Sequence, residues 1–170
     1  MKLEIIGERC VGCRLCEMAC TFAHEGVYGS YNARVHVSKI EELGIDHPLM
    51  CQQCPATPCE NACPVGAISK NQDNGSMRVN QELCTGCGNC VKACPYGAAT
   101  LHSEKKKSII CDLCGGSPQC VQECPVAAII VAEDDGGASL KSMNAVAKEK
   151  QVAFARRKMK KVLEQWGVKN

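Results

Sequence analysis

The chain has 170 residues, of which 16 are cysteine and six are aromatic, and its formal net charge is +2. Without the cysteines, the hydrophobic 45% falls to about 60 residues, a small core that indicates stabilisation by disulfides or metal. No apolar run is long enough to cross a membrane and the first residues show no export signal, so the sequence predicts a cytoplasmic protein.

In chain order, the sequence predicts short strands that alternate with cysteine-rich segments. Strands are expected at residues 3–6 and 34–40. A hairpin with an Asn-Gly turn is expected across 65–80, a second hairpin across 98–110, and a last strand at 128–131. Each unit then consists of a cluster loop, a short helical turn and a strand. The predicted fold class is α+β, with tandem bacterial ferredoxin-like modules and a C-terminal helix.

The cysteines form four groups of four, with none left over. The first and third groups have the spacing C-x2-C-x2-C-x3-C, and the second and fourth widen the middle interval to four and five residues. Proline follows each of the last three groups. In chain order the groups are Cys10, Cys13, Cys16 and Cys20; Cys51, Cys54, Cys59 and Cys63; Cys84, Cys87, Cys90 and Cys94; and Cys111, Cys114, Cys120 and Cys124.

This spacing is typical of bacterial 4Fe-4S sites, in which the fourth cysteine of a run ligates the other cluster of a pair. Three closely spaced thiolates can surround one cubane, while the fourth, on a following helical turn, points to a neighbouring cluster. A disulfide scaffold would be expected in a short exported chain. Zinc bound by four cysteines needs only two C-x2-C pairs per ion and leaves the other cysteines unexplained. The sequence therefore predicts four 4Fe-4S clusters.

The composition changes after residue 132. Residues 133–140 form a predicted linker, and residues 141–170 a basic amphipathic segment, with a helix expected from about Ser142 to Trp166. This segment carries a charge of +7, which leaves −5 on residues 1–140. Bound clusters would add negative charge to the body, which argues against nucleic acid as a partner. We expect the segment to contact an acidic surface, either on a partner or on a second copy of this chain. The alternative is that its apolar stripe covers the protein's own core and its lysines form a solvated face.

Two features argue against an enzyme in its own right. In the predicted arrangement every cysteine is a cluster ligand, and the sequence has no phosphate-binding glycine loop, dinucleotide fingerprint or nucleophile motif. The four histidines are scattered, and we expect surface, packing or hydrogen-bonding roles for them rather than ligation; they are His24, His36, His47 and His102. The sequence favours an electron relay, with a catalytic protein as the alternative.

Residues 1–132 resemble the four-cluster, polyferredoxin-like subunits of multisubunit oxidoreductases, the type found with dimethyl sulfoxide reductase. The resemblance rests on the four groups in this order, on the second group Cys51-Gln-Gln-Cys54-Pro-Ala-Thr-Pro-Cys59, and on Cys111-Asp-Leu-Cys114. The opening segment from Cys10 to Gly26 resembles the small subunits that accompany tungsten-containing aldehyde oxidoreductases of anaerobic metabolism.

The resemblance implies a non-catalytic subunit that passes single electrons through four 4Fe-4S clusters. Its partners would be a catalytic subunit with a tungsten or molybdenum cofactor and a flavin or other acceptor subunit. This chain is expected to have no membrane span of its own. Self-association through the C-terminal helix is a further expectation. Formate dehydrogenase, hydrogenase and carbon monoxide dehydrogenase systems, or a free polyferredoxin, are the alternatives.

The resemblance also implies a nested pairing of the groups, first with fourth and second with third. The implied ligand sets are Cys10, Cys13, Cys16 and Cys124; Cys111, Cys114, Cys120 and Cys20; Cys51, Cys54, Cys59 and Cys94; and Cys84, Cys87, Cys90 and Cys63. Spacing alone leaves adjacent pairing equally open. Two features depart from the family pattern: Thr21 stands where proline is expected, and the interval between Cys114 and Cys120 is short.

Overall fold

The computed structural model describes residues 1–41 and 44–132, so the predicted linker and C-terminal helix lie outside the described residues. Within these ranges, no helix is both long and apolar enough to cross a membrane. The helices are α1 (Leu15–Glu25), α2 (Pro58–Asn61), α3 (Asn89–Ala93) and α4 (Gln119–Gln122). The strands are β1 (Leu3–Ile5), β2 (Val35–Ile40), β3 (Ile45–Met50), β4 (Ile68–Lys70), β5 (Met77–Val79), β6 (Thr100–Leu101), β7 (Ser108–Ile109) and β8 (Ile129–Val131).

The described strands pair as antiparallel two-stranded sheets, and the α+β prediction is confirmed. β4 and β5 form the first predicted hairpin, in which Asn71 N–H donates to Ser76 O across the turn. β6 and β7 form the second hairpin. β1 pairs with β8, with Leu3 opposite Val131, so the first strand and the last described strand lie side by side. The sequence had indicated both strands but not their pairing.

β3 was not predicted. It pairs with β2 along six residues, from Val35 opposite Met50 to Ile40 opposite Ile45. Pro48 lies within it, and proline lacks the N–H that a strand needs for pairing on both sides. An edge position in a two-stranded sheet tolerates this loss.

The helices differ from the predicted turns in two respects. Each begins before the third cysteine of its group, so this cysteine lies on the helix rather than on the loop: Cys16, Cys59, Cys90 and Cys120. α1 also has 11 residues, whereas the other three have four or five. Its length follows from Thr21, because proline at that position would have clashed with the preceding turn and ended the helix.

Helix packing divides the groups into two pairs. α1 packs against α4, and α2 packs against α3. One apolar core contains cysteines of the first and fourth groups together with Leu3, Val35 and Ile129. A second core contains cysteines of the second and third groups together with Ile68, Met77 and Ile110. Cys51 packs against both cores and therefore lies at their junction.

Polar contacts join α1 to the β6–β7 hairpin. Buried His102 lies 3.2 Å from a carboxylate oxygen of Glu25 at the end of α1, and Lys105 Nζ lies 2.7 Å from the same oxygen. The Ser103 N–H donates to Asn32 Oδ1 at 2.9 Å. These contacts fix the hairpin before the fourth group against the helix of the first group.

Replacing Gly86 with alanine should destabilise the protein more than replacing Gly97. Both glycines have a left-handed backbone, with φ of 72° and 61°, which costs another residue roughly 1–2 kcal/mol. A Cβ on Gly86 would overlap the carbonyl oxygen of Lys106, whereas a Cβ on Gly97 would meet nothing within 4 Å. For Gly86→Ala, this overlap should lower the free energy of unfolding by about 1–3 kcal/mol more. Denaturation midpoints followed by circular dichroism measure the difference.

Gly97→Ala is the matched control, because Ala127 already occupies the equivalent position after the fourth group with φ of 48°. Equal losses in the two variants would contradict the close approach of Gly86 to the β6–β7 turn.

Candidate metal centres

The four groups share one loop conformation. The residue before the second cysteine is left-handed in every group, with φ of 67° at Gly12, 50° at Gln53, 72° at Gly86 and 59° at Leu113. Two groups use glycine, for which this conformation carries no steric cost. The other two use residues whose side chains are buried, since Gln53 is 7% exposed and Leu113 is 0% exposed. In these two loops, side-chain packing therefore stabilises the left-handed backbone that glycine adopts without steric cost in the other two.

The fourth cysteine of each group accepts a backbone hydrogen bond on its sulfur. In the last three groups the donor is the N–H four residues later: Ala67 to Cys63 at 3.2 Å, Ala98 to Cys94 at 3.3 Å, and Ala128 to Cys124 at 3.2 Å. In the first group, α1 continues past Cys20, and the donor is Arg34 N–H at 3.2 Å. Such bonds stabilise a thiolate relative to a thiol.

One cavity is lined by Cys84, Cys87 and Cys90 of the third group and by Cys63 of the second. Buried Ser108 contacts two of these ligands, with its hydroxyl 3.2 Å from Cys90 Sγ and its N–H 3.4 Å from Cys84 Sγ.

A second cavity is lined by Cys51, Cys54 and Cys59 of the second group and by Cys94 of the third. Met77, Tyr96 and Ile110 complete its apolar wall. In both cavities, three cysteines from one group face the fourth cysteine of the other. This exchange is the arrangement expected of paired 4Fe-4S sites.

Cysteines of the first and fourth groups also lie together. Burial raises the pKa of Cys120, and the nearby thiols of Cys111 and Cys20 raise it further. Cys20, Cys111 and Cys120 share one core cluster. Arg9, immediately before Cys10, lies with its Nη1 3.4 Å from Ala127 O, which follows Cys124 in the chain.

A charged network lies at the contact between the first and fourth groups. His24 Nε2 is 3.0 Å from Asp112 Oδ1, and its Nδ1 is 2.7 Å from Cys20 O. Arg34 Nη1 is 2.9 Å from the other Asp112 oxygen. The contacts that His24 makes with Asp112, Cys114 and Cys20 raise the pKa of His24 to about 12. His24, Asp112 and Cys114 are also close enough together to share a metal ion.

Burial governs the acidity of most of the buried cysteines. It raises the pKa of Cys16 to about 12, with a smaller contribution from Glu17, and those of Cys59 and Cys111 to about 11 and 12. Thiolates are the metal-binding form, so these sites need positive charge from a metal to hold several of them together. At Cys63, burial is outweighed by several backbone N–H groups, which lower its pKa. The residues therefore fit iron-sulfur clusters.

Exposure differs among the cysteines. Cys13 and Cys87 are exposed, and the other fourteen are buried or partly buried. Each exposed cysteine is the second of its group, at the end of a C-x-G-C loop.

Four residues near the cysteines were not predicted from the sequence to take part in these sites: Glu17, Gln53, Ser108 and Asp112. Glu17 is 2% exposed, and its Oε1 accepts the N–H of Val37 at 2.6 Å. For Gln53 and Asp112, the available signal was a polar residue inside a C-x2-C loop. Ser108 carried no signal, because it lies in a strand three residues before the fourth group, whereas the sulfurs that it contacts belong to the third group.

Comparisons with known proteins agree with this geometry. Residues 45–134 match the model of the 4Fe-4S dicluster domain, and residues 7–28 match that of a 4Fe-4S binding domain. A polyferredoxin-like subunit of aliphatic sulfonate oxidoreductase from Pyrococcus furiosus is 44% identical over 108 residues, which cover 64% of this chain and 62% of that protein. Electron transport protein HydN of Escherichia coli is 43% identical over 97 residues, 53% of each chain.

The matches therefore span between about half and two thirds of these curated relatives. Among solved structures, the active site complex BamBC of benzoyl coenzyme A reductase, in complex with zinc, is 23% identical with a TM-score of 0.49. The alignment covers 89% of this chain and 88% of that one. Because the dicluster model covers more than half of the sequence and includes three of the four cysteine groups, this chain belongs to the 4Fe-4S dicluster domain family.

Proposed function

We propose that this protein is an electron-transfer subunit that binds four 4Fe-4S clusters. It relays single electrons between a catalytic oxidoreductase subunit, of the tungsten-containing aldehyde oxidoreductase type, and a flavin or other acceptor subunit. The names of its relatives support the general role, since one is a polyferredoxin-like oxidoreductase subunit and another an electron transport protein.

The proposed ligand sets follow the nested pairing. The observation that carries them is that each of two cavities is lined by four cysteines, three from one group and one from the other. The packing of α1 against α4 and the β1–β8 pairing support the same exchange between the first and fourth groups. We name each set by its first three cysteines: the Cys10 set, completed by Cys124; the Cys111 set, completed by Cys20; the Cys51 set, completed by Cys94; and the Cys84 set, completed by Cys63.

Contacts between the sets support a linear order. Cys51 and Cys111 are electrostatic neighbours, since the charge of Cys111 helps to raise the pKa of Cys51 after the larger effect of burial. We therefore place the Cys51 and Cys111 sets in the middle of the series. Exposed Cys13 and Cys87 belong to the two outer sets, the Cys10 set and the Cys84 set. The outer sets are the proposed points at which electrons enter and leave.

The protein's own contribution is to hold thiolates in place. Bound 4Fe-4S clusters supply one-electron redox chemistry. The left-handed loops arrange three thiolates around each site, and the backbone N–H groups directed at the fourth cysteines stabilise their negative charge. The apolar wall formed by Met77, Tyr96 and Ile110 limits the access of water to the Cys51 set. In this assignment all sixteen cysteines are ligands, which leaves none for covalent catalysis.

The experiment is anaerobic purification of the tagged chain from its native host, followed by assays of tungsten, molybdenum, nickel and flavin in the copurified material. We expect a tungsten-containing subunit that reduces this chain when its substrate is added. Turnover of an aldehyde by this chain alone would contradict the relay role. A nickel-containing partner would replace the proposed aldehyde oxidoreductase with a hydrogenase or carbon monoxide dehydrogenase system.

The same purification tests the basic segment at residues 141–170, which lies outside the described residues. Its charge of +7 against −5 on the rest of the chain motivates an assembly role. A version without this segment should keep its iron and lose the copurifying subunit or its self-association. Loss of iron from the shortened chain would contradict this role.

A further inference from the structure

Gln53 is a buried amide inside the second cysteine group. It lies between Cys51 and Cys54, is 7% exposed, and has a left-handed backbone with φ of 50°. The first and third groups have glycine at the equivalent position. A glutamine there carries a conformational cost and the cost of removing an amide from water, so its side chain must make compensating contacts.

The Gln53 side chain connects three separate segments. Its Nε2 donates to the carbonyl oxygen of Cys111 at 2.8 Å, and its Oε1 accepts the N–H of Met77 in β5 at 2.8 Å. Lys70 of β4 adds contacts from Nζ to the carbonyl oxygens of Gln53 and Cys54, at 3.2 and 3.4 Å. The loop of the second group is thus fixed to its own hairpin on one side and to the fourth group on the other.

The protein has two halves, one that holds the first and fourth cysteine groups and one that holds the second and third, and the bond to Cys111 lies at their junction. Cys111 and Cys51 are electrostatic neighbours, and Cys51 packs against both apolar cores. Both bonds of the Gln53 amide are buried. Removing the amide would leave the Cys111 carbonyl and the Met77 N–H without this partner, and such groups are costly to bury unpaired. The loops that carry Cys51 and Cys111 would then be free to separate.

We propose that Gln53 is a positioning residue that sets the separation between the Cys51 set and the Cys111 set. This inference rests on the proposed function, in which electrons cross between the halves at these two sets. Electron tunnelling falls steeply with distance, so a small displacement of one loop would slow the crossing. Gln53 holds no cluster itself and acts through the backbone of two ligand loops.

The test compares Gln53→Met, Gln53→Glu and Gln122→Leu with the unaltered holoprotein. Gln53→Met removes both amide bonds with little change in volume, and Gln53→Glu keeps the acceptor for Met77 but loses the donor to Cys111. Gln122→Leu is the matched control, because exposed Gln122 lines neither cavity and its Nε2 donates locally, to Ser117 Oγ at 2.8 Å. Pulsed electron paramagnetic resonance of the reduced proteins measures the magnetic coupling between clusters of the two halves, and stopped-flow reduction measures the rate of crossing.

We expect both Gln53 variants to keep their iron and to show weaker, more widely distributed coupling, with crossing slowed severalfold. Gln122→Leu should match the unaltered protein. Fully loaded Gln53 variants with unchanged coupling would overturn the assignment, and so would loss of iron in both, which would make Gln53 an assembly residue. Failure of the proposed function would be visible already in the unaltered protein, as missing clusters or no electron uptake.

Discussion

Anaerobically purified protein is expected to contain sixteen iron atoms per chain, four in each of four 4Fe-4S clusters, and to unfold when the iron is removed. The apolar core is small, and burial raises the pKa of Cys16 and Cys111 to about 12 and that of Cys59 to about 11. Binding energy at such sites is also folding energy, because the ligand constellation does not exist in the unfolded chain. Iron and sulfide analysis, with circular dichroism before and after chelation, checks both parts.

The control is reconstitution of the iron-free chain. Iron and sulfide together should restore the dichroism signal, and zinc alone should not. An iron content near eight or twelve would contradict the number of clusters. A chelated chain that keeps the full dichroism signal would show that the apolar cores suffice without metal.

The motif spacing and the turn residues were enough to predict much of this fold. Four cysteine groups separated by short β-prone segments predicted the loops, and Asn74-Gly75 predicted the β4–β5 hairpin. β3 was missed because Asp46, His47 and Pro48 interrupt its apolar pattern. Its pairing with β2 supplies stability that the local sequence does not reveal.

The departure at Thr21 was visible in the sequence, but its consequence was not. Without proline after Cys20, α1 continues to Glu25, and the turn that supplies an N–H to the other fourth cysteines does not form there. Arg34 donates to the Cys20 sulfur instead, from fourteen residues away. Spacing within a motif carries no information about a donor so far along the chain.

The role of Gln53 was hidden for a related reason. The C-x2-C pattern allows any residue at this position, and glycine in two groups only suggests a left-handed backbone. The partners of Gln53 are 24 and 58 residues away in sequence, and they meet it only when the halves pack together. Long-range hydrogen bonds of single side chains depend on tertiary packing, which local patterns do not encode.

Cysteine spacing likewise leaves both nested and adjacent pairing of the groups possible. Substitution of single ligands can distinguish the two pairings. Alanine at Cys20 should remove the cluster held by Cys111, Cys114 and Cys120 in nested pairing. In adjacent pairing it should remove the cluster held by Cys51, Cys54 and Cys59. Two double variants separate these possibilities: Cys20→Ala with Cys114→Ala, and Cys20→Ala with Cys54→Ala.

Two substitutions in the ligand set of one cluster should lose no more iron than one substitution does, whereas substitutions in the ligand sets of two clusters should lose the iron of both. With nested pairing, Cys20→Ala with Cys114→Ala damages one cluster and should leave about twelve iron atoms, and Cys20→Ala with Cys54→Ala damages two and should leave about eight. The expectation rests on Cys20 lying beside Cys111 and Cys120 in one core. Reversed iron contents would establish adjacent pairing. The single variants, each expected to keep about twelve iron atoms, are the controls that show that one lost ligand removes only one cluster.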